Sequence, residues 1–190
     1  MLPSREQALI LLEEAYIRNP GLWRDHSIVA AKCAYAIGKA CDEIDENKAY
    51  ILGLLHDIGR REGVTHLAHV IDGYRYLMGL GYDEAARACI THSFPIKDVN
   101  LYIGTNDVSA EDLQEITDLI NGFDYDDYDA LIQLCDSIAL PQGSAQIVER
   151  MNDVKQRYGY FPESKWNKHI EIKHYFEKKT GLNIDNLNIK

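Results

Sequence analysis

The chain is short of several things, and each shortage excludes a class. It has only four cysteines, Cys33, Cys41, Cys89 and Cys135, and no two share a CxxC spacing. Each sits in an apolar, helix-like segment, so they read as reduced core thiols and not as a disulfide frame or zinc knuckle. Basic residues are in deficit: 20 Lys and Arg against 30 Asp and Glu give a net charge of −10 and a pI near 5.1. A surface this acidic repels phosphate backbones and argues against nucleic acid as a partner, while leaving room for a small phosphorylated ligand held by local cations or metal. No long apolar run is present. The N-terminal run Ala8 to Leu12 is far too short for a membrane span, and no signal peptide is visible. A cytoplasmic protein without membrane partners is the expectation. Strand alternation, internal repeats and long linkers are missing too.

What remains is helical, and 190 residues with 46% hydrophobic content suffice for one core. Ser4 with Gln7 forms a capping box, and the helix it opens should end near Asn19-Pro20-Gly21. Asp25 is expected to open a second helix, and a third to run from about Glu46 to Ile58 and stop at Gly59. Further helices are expected over 66–79, over 83–94 capped by Asp83, from Ser109 to about Asn121-Gly122, over 125–140, after a Ser144 cap, and from about Glu163 to Thr180. Residues 96–108 read as a loop with a short helical turn. The acidic cluster DYDDYD at 124–129 reads as a solvated helix N-terminus. The fold class is all-α, one domain over 1–190, with a core at about 20–145 and C-terminal helices over 145–190.

One stretch departs from this pattern. GLLHDIGRREG, residues 53–63, ends an apolar run on an adjacent imidazole and carboxylate, which are costly to bury without partners. A single His-Asp dipeptide is no more than chance supplies in a chain of this composition. Five of the seven histidines, however, fall between residues 26 and 92: His26, His56, His66, His69 and His92. Asp136 stands isolated in LIQLCDSIAL and needs a cation, several donors or a metal. Imidazole nitrogens and carboxylate oxygens suit a borderline divalent metal, and helices carrying one or two each can converge in a bundle. His169 and His174, on a Lys-rich terminal helix, read as surface residues on different faces.

The order His26 … His56-Asp57 … Asp136, with HDIG at 56–59, resembles the HD superfamily of metal-dependent phosphohydrolases. Further histidines between the HD pair and the last Asp resemble its six-ligand, two-metal subtype. That resemblance implies a helical bundle around two divalent ions, iron, manganese or another transition metal. By it His26, His56, Asp57 and Asp136 bind one metal, and Asp57 bridges to a second completed by His69 and His92. His56 and Asp57 form the catalytic heart, and a metal-activated hydroxide attacks phosphorus. Arg60 stands where many members carry a cation and is expected to hold substrate phosphate, with Arg61 solvated. His66, three residues before His69, is the ligand in its place, a supporting or substrate group, or merely the first polar residue of a helix; the glycine at 73 favours His69.

The sequence also departs from members acting on diadenosine tetraphosphate. Asp136 is followed by SIALPQGSAQ, with no basic residue before Arg150, and the GYP signature of the cyclic-dinucleotide branch is missing. A nucleotide or other small phosphorylated metabolite is the expected substrate, for a monomer or homodimer. The same ligands would serve a mixed-valent di-iron oxygenase or a non-catalytic metal- or nucleotide-binding module.

Overall fold

The computed structural model describes residues 1–190 and is built of nine α-helices, short 3-10 turns and one two-residue hairpin. The helices are α1 (Arg5–Arg18), α2 (Trp23–Lys39), α3 (Glu46–Leu55), α4 (Ala68–Gly79), α5 (Asp83–Thr91), α6 (Ala110–Gly122), α7 (Asp127–Ile138), α8 (Ile147–Tyr158) and α9 (Glu163–Thr180). The all-α expectation holds. The hairpin pairs β1 (Ala139–Leu140) antiparallel with β2 (Gly143–Ser144). One hydrophobic cluster runs from Ala8 and Leu12 on α1, through α2, α3, α5 and α7, to Met151 on α8 and Ile172 and Phe176 on α9. A smaller one joins α4, α5 and α6 through Val70, Ile90, Phe94 and Ile116.

Local chemistry sets most boundaries as expected. Ser4 and Gln7 make the reciprocal capping box. Asp45 caps α3, and the Ser109 hydroxyl accepts from Asp112 N at α6. Gly181, in the left-handed region, ends α9. Other boundaries differ. α2 begins two residues before Asp25, which lies in its first turn. Ser144 does not cap α8, whose N-cap is Gln146; the Ser144 hydroxyl instead accepts from Ile189 N at 3.0 Å. The acidic cluster is not uniformly solvated. Asp126 caps α7, but Asp129 is buried and accepts hydrogen bonds from Arg87 and from the Thr91 hydroxyl at 2.7 Å.

The largest correction is at Gly59. α3 ends at Leu55, four residues before it, and the chain continues as a 3-10 turn over Ile58–Glu62. Gly59 is there for closeness: a Cβ on it would lie 1.9 Å from His69 O and 2.5 Å from Gly73 N. The 3-10 turn therefore presses backbone to backbone on α4. Gly53 does the same between α3 and α2, where a Cβ would meet Ala31 Cα at 2.9 Å. Two glycines thus bring α2, α3 and α4 together around residues 56 and 57.

Candidate metal centre

Six side chains from five elements converge there. His26 comes from the first turn of α2 and His56 from the C-cap of α3, with Asp57 beside it. His69 is the second residue of α4, His92 the C-cap of α5, and Asp136 lies near the end of α7. The start of α4 is held from a distance: the Asp107 carboxylate accepts from His66 N at 2.7 Å and Ala68 N at 2.9 Å.

The donor atoms fall into two groups that share Asp57. His26, His56 and Asp57 each offer one atom within 4.8 Å of the others, and so do Asp57, His69 and His92. Asp136 Oδ1 adds to the first group, 3.0 Å from His26 Nε2 and 3.6 Å from His56 Nε2. Asp57 Oδ1 lies 3.1 Å from His69 Nε2 and 3.7 Å from His92 Nε2, while its Oδ2 accepts from Arg60 Nε at 2.6 Å.

All four imidazoles are oriented in the same way. Each Nδ1 faces a main-chain carbonyl: Ala139 for His26 at 3.2 Å, Gly53 for His56 at 2.7 Å, Ala88 for His92 at 3.1 Å, and His66 for His69. A carbonyl only accepts, so each Nδ1 carries its proton and each Nε2 is the nitrogen turned inward. His26 and His56 Nε2 are then 3.3 Å apart, and His69 and His92 Nε2 3.2 Å apart. Two ring nitrogens at that distance need a proton or a metal ion between them. Hydrogen bonding of the outer nitrogen is also how metal-binding histidines are positioned. The residues fit a borderline divalent metal.

Burial opposes protonation of His56, but Asp57 and Asp136 outweigh it and hold the ring above its usual value. Burial pushes His92 down to about 3, helped by His56 beside it, so this ring stays neutral. Burial opposes ionisation of Asp57, but Arg60, His56 and His69 outweigh it and hold the carboxyl well below its usual range. Asp136 is likewise held low, against burial, by His26 and His56. Both carboxylates are ionised at neutral pH.

Asp57, His69, His92 and Asp136 open on a cavity of about 220 Å³, which Arg60 also lines. A second, shallower recess lined by Trp23, His26 and Pro141 shares Asp57, Arg60 and Asp136 with it. His66 is elsewhere. It lies in the turn before α4, not on a helix face with His69, and its ring is exposed and outside the cavity lining. Only its carbonyl serves the site, by orienting His69. Arg61 is not solvated as expected. Its guanidinium stacks 3.7 Å from the Tyr76 ring centroid and its side chain is only 16% exposed.

The far wall of the cavity comes from residues with no place in the sequence motif. Arg150 and Arg157 on α8 and Lys165 and His169 on α9 all line it. His169, expected at the surface, is buried, whereas His174 is exposed. Burial, with Lys165 beside it, pushes His169 down to about 3. Burial likewise pulls Lys165 down to about 8. A signal for both was present: Lys165, His169, Ile172 and Phe176, spaced four, three and four, form the buried stripe of α9.

The HD domain family profile matches residues 23–139, a span that holds all six converging residues and more than half of the chain. The chain belongs to the HD domain family. HD domains bind divalent metals and are in general metal-dependent phosphohydrolases. No curated protein and no solved structure matches the chain. None of its helices is long and apolar enough to cross a membrane.

Proposed function

We propose that this protein is a dinuclear metal-dependent phosphohydrolase that cleaves a phosphate ester of a nucleotide or other small phosphorylated metabolite. The observation that carries this is the pair of facing imidazoles on either side of Asp57, opening on a cavity that Arg60 also lines. His26, His56, Asp57 and Asp136 would hold one ion, and Asp57, His69 and His92 the other. Bound there, divalent metal supplies Lewis-acid polarisation of phosphoryl oxygen and activation of water.

The chain's own groups do the rest. Main-chain carbonyls keep the imidazoles aimed, with Nε2 inward. Arg60 steadies Asp57 through Nε and reaches Thr65 O with Nη1 at 3.3 Å, leaving other N–H groups free for a phosphoryl oxygen. His66 has no substrate role in this reading.

The test is metal analysis of the isolated protein, followed by a phosphate-release screen over nucleotides and phosphosugars with Mn, Fe, Co, Ni and Mg, with and without O2. Up to two ions per chain are expected, with O2-independent phosphate release that Asp57→Ala abolishes. A content below about half an ion per chain, not restored by Mn or Fe, would overturn the reading. Turnover only with O2 would replace hydrolysis by oxygenation and leave the ligand assignments standing.

A further inference from the structure

Three cavity-lining groups on the C-terminal helices are incompletely satisfied. Lys165 is 7% exposed, and two of its three N–H donors go to the carbonyls of Ser93, at 2.9 Å, and Leu101, at 3.3 Å. No carboxylate lies within ion-pairing distance, so its charge has dipoles around it but no counter-ion. Arg150 gives Nη1 to Asp153 at 2.9 Å, yet its Nε is buried with no partner. The Nδ1 of His169 is buried and partnerless as well. All three line the cavity that holds the metal-site carboxylates. A buried cation without a counter-ion is strongly unfavourable, and a preformed cavity with converging unpaired donors is the usual form of a ligand site.

We infer that the substrate carries a second anionic group, a carboxylate or another phosphate, apart from the phosphate at the metals, and that Lys165 and Arg150 receive it. This rests on the phosphohydrolase reading. Lys165 offers its third N–H and Arg150 its cavity-lining guanidinium, charge-assisted bonds to one anion. His169, adjacent on the α9 stripe, is left to bond a neighbouring hydroxyl or carbonyl. The cavity, about 220 Å³, has room for a compact doubly anionic metabolite. The family profile ends at residue 139, before both helices. Metal chemistry and substrate choice would thus be divided between the HD segment and α8–α9.

Calorimetric binding to the Mn-loaded protein tests this without turnover. The probes are phosphonoacetate, 3-phosphonopropionate and 4-phosphonobutyrate, each against the alkylphosphonate of equal chain length. At least one diacid should bind about tenfold or more tightly than its alkyl counterpart. Lys165→Met should bring that ratio close to one and leave alkylphosphonate affinity nearly unchanged, and Lys165→Arg should keep most of the preference. Because Lys165→Met leaves two carbonyls without a donor, Arg150→Gln provides a gentler second variant and should also lower the ratio. Equal binding of diacids and alkylphosphonates by wild type would overturn the inference alone. So would equal loss of both ligand types in the variants, since Lys165 and Arg150 would then serve the metal-side phosphate. Binding of neither series would overturn this inference together with the phosphohydrolase reading.

Discussion

His169 and Arg60 are the residues whose surroundings make the sharpest single-site predictions. His169 titrates near 3 in the fold and near 6.5 when unfolded. Between those values the unfolded chain binds one more proton, so stability falls as pH falls from about 6.5 towards 3. Urea unfolding of metal-free protein at pH 7, 6 and 5 should show this, and His169→Gln should reduce the slope by about 1 kcal/mol per pH unit averaged over that range. Arg60 bonds Asp57 directly. Arg60→Ala should therefore weaken metal retention as well as lower kcat/KM, measured by dialysis against a chelator and by steady-state kinetics. Arg61→Ala should leave metal untouched and lower stability by about 1 kcal/mol, the order of a partly buried cation–π contact. The six converging residues were legible in the sequence because their order and types form a motif. Arg150 carried no such signal, and Lys165 and His169 only a shared stripe with Ile172 and Phe176, because helical spacing says which residues share a face but not which face turns inward. That is settled by Ile172 and Phe176 entering the core.

Among the elements, the meeting of the 3-10 turn with α4 matters most. A methyl group at Gly59 would overlap His69 O, and backbone cannot yield as a flexible side chain can. Gly59→Ala should cost about 3 kcal/mol or more, the upper range for overpacking, and separate Asp57 from His69. Chemical denaturation and metal content should fall together. Gly79→Ala is the control: its added methyl meets nothing within 4 Å near the end of α4, so it should be neutral or stabilising by up to about 1 kcal/mol. Helix existence was legible from N-caps and apolar periodicity, as at Ser4 and Ser109. The role of the HDIG glycine is not legible in sequence, because stopping a helix and permitting close approach leave the same letter there. Only the tertiary neighbour separates them.

Across the whole molecule, the hydrophobic cluster that includes α1 also includes α8 and α9, so site and scaffold should unfold as one unit. With metal at about one hundred times its dissociation constant, native stability should rise by about 2.7 kcal/mol. For a chain of this size that amounts to roughly 5–10 °C in Tm. Scanning calorimetry before and after chelation should show one shifted transition. Two separated transitions would break the link between centre and core. The net acidity was plain from composition, but the cationic wall was not, since Arg60, Arg150 and Lys165 are gathered only by folding. The four carbonyl-held imidazoles also bear on inheritance. Three take their orientation from carbonyls at most four residues away, inside their own helix or turn, and side-chain drift nearby leaves those carbonyls in place. His26 alone depends on Ala139, 113 positions distant, at the start of the hairpin. A lineage that lengthened the Pro141-Gln142 turn would disturb one ligand and spare three, so gradual loss of the centre should begin at His26.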